Sequence, residues 1–349
     1  MNKVASEVPD TAIAPGKTFD VVCVGNALMD HLAHAEIAIL ETLGFAPGAM
    51  TLVDIATTER IKSVLGDGRL VPGGTVTNTA VGIASLGGTP AFVGAVATDD
   101  LGDRYATDLE ACGVHAVLQR FPFDPDGDEA ATGRCYVIVT PDAERTMATA
   151  LGVGGRLDSA GIDPRVISGA DLVYFDGYVL DLPDATALVA RVLEAARSSS
   201  TRIALGLADA LLVERHRRVI EGLVSEIVDY VFANEPEILA LTGAEDVEQA
   251  LLSVGRPGLV VAVTRGGEGA TVGSDDGIVD LPAHEVERVV DVTGAGDLFA
   301  AGFCFGVTHG HEPVSAARLG MIAASEVIGH LGARPETSLA ELARFQGLL

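Results

Sequence analysis

The sequence predicts an α/β fold: a mostly parallel central sheet flanked by helices, with a small β-sheet lid inserted in the chain. Three observations predict it. Short apolar runs closed by Gly or a polar residue recur along the chain, the pattern of strands buried on both faces. Helical stretches alternate with them, and strand, helix, strand repeated in this way means a parallel sheet with helices on both faces. Two further segments, 49–54 and 133–149, are β-like but break the alternation.

Taken in order, residues 1–18 are rich in Pro, Ala and polar residues and read as a loose leader ahead of a body over 19–349. Residues 19–25 form the first strand. Residues 75–86 read as a helix stopped by Gly87-Gly88, 91–96 as a strand, and 101–111 as a helix with Gly113 just past its end. Further buried strands are predicted at 172–175, 203–207, 230–233 and 259–264, separated by helices at 183–197, 236–241 and 247–254. The lid is assigned to about 31–55 and 114–150. There Arg134, Tyr136, Ile138, Arg145 and Met147 mix polar and apolar side chains, which fits an antiparallel sheet with one wet face.

Composition narrows the function. Of 349 residues 48% are hydrophobic and 21% charged, enough for a full core and too apolar for a mostly disordered chain. The net charge of −26 and the absence of any Lys/Arg-rich run argue against nucleic acid, because a grip on phosphates of any sequence needs a basic face. Only Lys3, Lys17 and Lys62 are lysines. A phosphate ligand would have to be met by backbone dipoles, a metal and one or two placed arginines. No apolar run reaches the ~18 residues of a membrane span, and residues 1–20 lack a signal-like apolar core. Cys23, Cys112, Cys135 and Cys304 lie far apart with no Cys-x-x-Cys pair, so neither zinc nor a disulfide framework is implied. The expectation is a soluble, cytoplasmic protein without membrane or nucleic-acid partners.

The strongest segment is Asp291-Val292-Thr293-Gly294-Ala295-Gly296-Asp297, leading into a helical pattern over 298–308. Small residues let backbone approach a ligand, and the first N–H groups of a helix lack internal partners, so the two together make an anion site. A carboxylate placed beside a polyphosphate is repelled by it. Asp297 is useful there as an acceptor for the proton of an attacking hydroxyl, or else it is an N-cap on a Gly-rich turn. The twelve-residue context favours the first reading.

A second segment, Val71-Pro72-Gly73-Gly74-Thr75-Val76-Thr77-Asn78, pairs glycines with an amide that can both donate to and accept from hydroxyls. Asp30 follows the first strand, at the carboxyl end where open α/β sheets bind ligands. One carboxylate can accept from two vicinal hydroxyls, which suits a sugar. Asn234 and Glu237, three apart where a strand gives way to a helix, could hold Mg²⁺ through waters or form a capping box; the spacing suits both. The stretch Thr264-Arg265-Gly266-Gly267-Glu268-Gly269 is a hairpin, or a turn touching nucleotide phosphate or ribose. Residues 11–18 end like a P-loop but precede their strand, and 124–129 lack the Gly and Glu of a calcium loop.

These two long segments, in this order, resemble the ribokinase-like (PfkB-type) carbohydrate kinases, from about Phe19 to about Thr337. The resemblance implies a Rossmann-like three-layer body with a β lid, ATP as donor, Mg²⁺, and phosphoryl transfer to a primary hydroxyl. It casts Asp297 as base and Gly294, Ala295 and Gly296 as the anion hole. Asp30, Gly73, Gly74 and Asn78 become sugar-binding residues, with Arg134 beside them. Asn234 and Glu237 organise Mg²⁺ and phosphate, and Thr264, Gly266 and Gly269 touch the nucleotide. A monovalent cation such as K⁺ would sit near Asp291 and Thr293. The segments 25–30, 139–147 and 332–339 look most like the bacterial adenosine kinase branch, in which an Arg placed like Arg145 reaches the transferring phosphate.

The implied reaction is transfer of the ATP γ-phosphate to the 5′-hydroxyl of a nucleoside, adenosine first. The alternatives are a sugar kinase of the same family, for ribose, fructose or a keto-deoxy sugar, and a non-catalytic ligand sensor on the same fold. A lid sheet can cover the site or pair between chains, so monomer and homodimer are both open. Asp297 is expected to be held ionised by the helix N-terminus and Mg²⁺.

Overall fold

The computed structural model describes residues 17–48, 50–66, 68–124, 130–141 and 145–349. The predicted leader lies almost wholly outside the described residues, as does most of the acidic stretch 124–129. Fourteen strands are described: β1 (Phe19–Val24), β2 (Leu28–His34), β3 (Met50–Leu52), β4 (Arg69–Gly73), β5 (Pro90–Ala97), β6 (His115–Phe121), β7 (Gly133–Val139), β8 (Arg145–Ala150), β9 (Ala170–Asp176), β10 (Arg202–Gly206), β11 (Tyr230–Asn234), β12 (Val260–Thr264), β13 (Ala270–Ser274) and β14 (Gly277–Leu281).

Nine of them form one sheet in the order β14-β13-β12-β11-β10-β9-β1-β5-β6. Every pairing from β12 through to β6 is parallel; only β12 with β13 and β13 with β14 run antiparallel. Successive side chains of a strand point to opposite faces. Val22 and Val24 of β1 accordingly enter one apolar cluster, with Val173 and Phe175 of β9 and helix Ala185–Ser199. Val21 and Cys23 enter the other, with helices Thr75–Ser85 and Ala295–Thr308. The central strands are thus buried on both faces, which is why they read as continuous apolar runs.

The lid is a five-stranded sheet, β3-β8-β7-β2-β4, and it corrects the sequence reading in three ways. First, β6 does not belong to it. Helix Asp100–Ala111 ends at Gly113, and β6 returns parallel to β5 as a crossover strand of the body. Second, β4 completes the sheet by pairing antiparallel with β2, where no strand was predicted. Third, the sheet is mixed, because β2 with β7 and β3 with β8 are parallel. Neither of its faces is simply wet. Tyr136, Ile138 and Ala148 pack with Leu40 and Ile61 of helices Ile37–Leu43 and Ile55–Leu65, while Cys135, Val137 and Val139 are buried on the opposite side. Long helices at Ala210–Glu226 and Pro313–Val327, which the sequence pattern does not mark, complete the layers. Among the described residues no helix is long and apolar enough to cross a membrane.

Candidate active site

Four parallel strands end at one cavity of about 440 Å³. Asp176 closes β9, Gly206 closes β10, Asn234 closes β11 and Thr264 closes β12, and all four line it. The N-terminus of helix Ala295–Thr308 forms another wall through Ala295, Gly296 and Asp297, and Thr75 opens a second helix beside it. Carboxyl ends of parallel strands facing helix N-termini are where open α/β sheets take ligands, and the volume falls in the ~300–1,000 Å³ range of small-molecule sites.

The anion-hole turn has a tight local cause. Gly294 is the N-cap in the left-handed region, φ +77°, and a Cβ there would lie 2.7 Å from Ala333 Cα and O. A Cβ on Gly296, by contrast, would meet nothing within 4 Å. Glycine at 294 is therefore demanded by the fold, and glycine at 296 leaves an open approach to the helix amides, the cradle an anionic group needs.

Asp297 stands at this approach. Its Oδ2 accepts from Asn78 Nδ2 at 2.9 Å, and its backbone carbonyl accepts from Thr79 Oγ1 at 3.1 Å. The two motif helices are thereby tied together across the site. Burial pushes the Asp297 carboxyl up to about 7, opposed by the Asn78 hydrogen bond and reinforced by the nearby charges of Asp176, Asp30 and Glu237. The sequence expectation gives the ionisation of Asp297 to the helix N-terminus together with Mg²⁺; the protein groups by themselves raise its pKa. Burial and neighbouring carboxylates outweigh the helix dipole.

Asp176 is a site residue that sequence reasoning missed. It is buried, accepts from the Thr75 hydroxyl and from Tyr178 N at 3.1 Å, and is pushed up to about 6 by burial. Its signal was an acid directly after the buried apolar run 172–175, immediately before Gly177. Arg265, which also lines the cavity and lies 3.8 Å from Glu235, was likewise passed over.

Asn234 and Glu237 do form a capping box: Glu237 N donates to Asn234 Oδ1 at 2.9 Å, and Asn234 N donates to Glu237 Oε2 at 3.0 Å. Both also line the cavity. Burial pushes Glu237 up to about 7, and the charge of Asp209 adds to the shift. Asp176, Glu237 and Asp297 are hard oxygen donors with no cation among them, which fits Mg²⁺. Among the described residues no three acids or histidines are close enough to cage a metal directly, so the fit is through waters.

The remaining predicted residues are placed unequally. Asp30, on β2, is pushed up to about 7 by burial and partly drawn back by Arg334. A Cβ on Gly73 would sit 2.1 Å from its carboxylate, so the glycine is what lets Asp30 lie against that turn. Neither Asp30, Gly73, Gly74 nor Asn78 lines the large cavity; Asn78 is bonded to Asp297, and Asp30 is electrostatically coupled to it. Val76 packs against Gly25, and Thr77 bonds the Tyr105 hydroxyl, so both point into structure. Arg134 is paired with Glu59 of the lid helix. Thr264 and Gly266 line the cavity within the β12–β13 hairpin. Gly269 does not, because it sits under Leu281 O of β14 and serves the hairpin itself. Arg145 does not reach the cavity wall but pairs with Asp291. Asp291 also accepts from Thr293 N at 2.6 Å and Gly332 N at 2.8 Å. A carboxylate already holding a guanidinium does not fit as a side-chain ligand for K⁺.

Comparison with known proteins agrees with the fold. A probable sugar kinase from Rhizobium etli CFN 42 superposes with a TM-score of 0.87 at 36% identity, covering 95% of this chain and all of the other. The adenosine kinase from Sinorhizobium meliloti gives a TM-score of 0.87 at 38% identity, covering 94% of this chain and 99% of its own. An adenosine kinase from Saccharomyces cerevisiae is 25% identical over 90% of this chain and 96% of its own length. Residues 48–339 match the pfkB family carbohydrate kinase profile. The chain belongs to the pfkB family of carbohydrate kinases, phosphotransferases that act on a hydroxyl group.

Proposed function

We propose that this protein is an ATP-dependent kinase that transfers the γ-phosphate to the 5′-hydroxyl of a nucleoside, adenosine first. The observation that carries the reading is the Asn78–Asp297 hydrogen bond. It ties a carboxylate of the cavity walled by helix amides to the helix that follows Gly73 and Gly74, and the electrostatic coupling of Asp297 to Asp30 supports a sugar bound near both. The strong similarity to the adenosine kinase of Sinorhizobium meliloti supports the acceptor. The similarity to a probable sugar kinase keeps free sugars as the second reading.

Each residue then has a task. Asp30 accepts from two hydroxyls of the sugar and fixes its orientation. Asp297 accepts the proton of the attacking hydroxyl; the transition state of phosphoryl transfer is loose, so positioning and charge neutralisation matter more than base strength. The amides of Gly294 to Asp297 stabilise the equatorial phosphate oxygens. Glu237 and Asn234 would hold Mg²⁺, which would supply charge neutralisation to the phosphates and to the carboxylates around Asp297. The lid excludes water from the transferring group.

The test is ADP release from ATP in a panel of adenosine, guanosine, cytidine, ribose and fructose. Adenosine is expected to give the highest kcat/KM. A free sugar ahead of every nucleoside would move the protein to the second reading, and no acceptor-dependent turnover would reject a kinase.

A further inference from the structure

Tyr174 lies two residues before the end of β9 and lines the cavity, yet the chemistry proposed for the other residues does not use it. Its ring belongs to the apolar layer shared with helix Ala295–Thr308, where Phe232 meets it edge-on at 5.9 Å. The residue is 4% exposed. Packing of this kind asks only for a ring, which phenylalanine would supply. The hydroxyl is an addition, and the neighbouring strand makes space for it. A Cβ on Gly206, the last residue of β10, would sit 2.6 Å from the Tyr174 oxygen. Gly206 lies in a regular strand without a left-handed φ, so what its missing side chain provides is room.

That hydroxyl is unanswered. Asp176 is committed to Thr75 and to Tyr178 N, and Asp297 to Asn78. The charges of both carboxylates act on the phenol, but it makes no hydrogen bond among the described residues. Burial holds it un-ionised, well above the ordinary range of a tyrosine, so it remains a donor. A buried O–H without an acceptor is unfavourable, and its persistence at a cavity wall calls for an acceptor that arrives with the ligand. The open helix start at Ala295 and Gly296 presents further donors to the same cavity. A phosphoryl group offers only acceptors, so it can take the amides and the phenol together.

We infer that Tyr174 is a binding residue for the terminal phosphate of the nucleotide, its hydroxyl donating to a γ-phosphoryl oxygen. The inference rests on the kinase reading above and adds a residue to it. Asp297 works at the hydroxyl that attacks the γ-phosphoryl group, and its charge reaches the phenol, which puts Tyr174 at that end of the nucleotide. Gly206 acts through Tyr174, by leaving the hydroxyl its place.

The experiment is calorimetric binding of ADP and of the β,γ-imido analogue of ATP, each with Mg²⁺, to the full chain. Wild type, Tyr174→Phe, Gly206→Ala and the double variant are compared, with thermal melting of each. Tyr174→Phe should weaken the imido analogue about tenfold or more, as loss of a hydrogen bond to a charged group implies, and leave ADP within about twofold. Its melting temperature should be no lower than that of wild type. Gly206→Ala drives the hydroxyl aside and should give a similar loss. In the Tyr174→Phe background the new methyl meets only ring carbons, at 3.4 Å, and should add no further loss. Equal weakening of both nucleotides, or of neither, would overturn the inference while leaving the kinase reading intact. So would an unchanged analogue affinity with a raised Mg²⁺ requirement, which would give the phenol to a metal-bound water. If Gly206→Ala does not fold, Tyr174→Phe still decides. A wild-type protein that binds neither nucleotide overturns both.

Discussion

Asn78 Nδ2 donates to Asp297 Oδ2 at 2.9 Å, joining two glycine-led helix starts 219 residues apart in the chain. The bond favours the ionised carboxylate and so opposes the burial that pushes Asp297 up to about 7. Asn78→Ala removes that opposition. The limb of kcat/KM that rises with pH should move upward by about one unit, as loss of a hydrogen bond to a charged group implies. A pH–rate profile whose rising limb stays in place would disconnect Asn78 from the ionisation of Asp297.

Asp297→Asn should reduce kcat by about a thousandfold or more while leaving ATP binding measurable by calorimetry. Its effect on stability has the opposite sign. A carboxyl whose pKa is raised from 3.8 to about 7 on folding contributes stability that is complete below pH 3.8 and lost as pH rises through about 7. In the metal-free protein, Asp297→Asn should therefore melt at a higher temperature than wild type at pH 8, with the gap closing toward pH 4. Equal melting temperatures across that range would show that the site is not strained by its own charges.

Glu237→Gln separates the two uses of the Asn234/Glu237 pair. The glutamine carbonyl can still accept from Asn234 N, so the capping box is kept. The anionic charge is lost. The Mg²⁺ concentration for half-maximal rate should rise about tenfold or more, with the melting temperature little changed. An unaltered Mg²⁺ titration would return the pair to a helix cap alone.

Two glycines two residues apart, Gly294 and Gly296, should behave differently. Gly294→Ala forces a side chain into φ +77° and against Ala333, which should destabilise the protein by about 1–3 kcal/mol in denaturant melts. Gly296→Ala adds a methyl to open space and should leave stability within about 0.5 kcal/mol of wild type. Its KM for ATP should rise nonetheless, because the methyl enters the approach to the helix amides. A Gly296→Ala protein with unchanged KM would place the phosphate elsewhere.

The body was legible in the sequence because parallel strands buried on both faces leave unbroken apolar runs, and β1, β5, β9, β10, β11 and β12 all appear close to where those runs lie. The lid was harder to read. Its strands pair with partners distant in the chain, β2 with β7 and β3 with β8, and no local pattern encodes that. The mixture of polar and apolar residues in β7 suggested one wet face, but Arg134 is turned to Glu59 and its apolar neighbours are covered on both sides. Asp176 was overlooked for the same reason in reverse: a single acid at a strand end becomes a site residue only when another chain segment brings Thr75 to it.

By itself the sequence determined the chemistry. Gly294, Gly296, Asp297, Asn78 and Asp30 are residue types whose spacing answers to local backbone demands, namely a left-handed cap, an open helix start and a close approach of Gly73 to a carboxylate. Only the tertiary structure decided their electrostatics and partners. Whether a carboxyl titrates near 4 or near 7, and whether Arg145 faces solvent or Asp291, depends on which distant segments exclude water around it, and that depends on the folded chain rather than on any local run of residues.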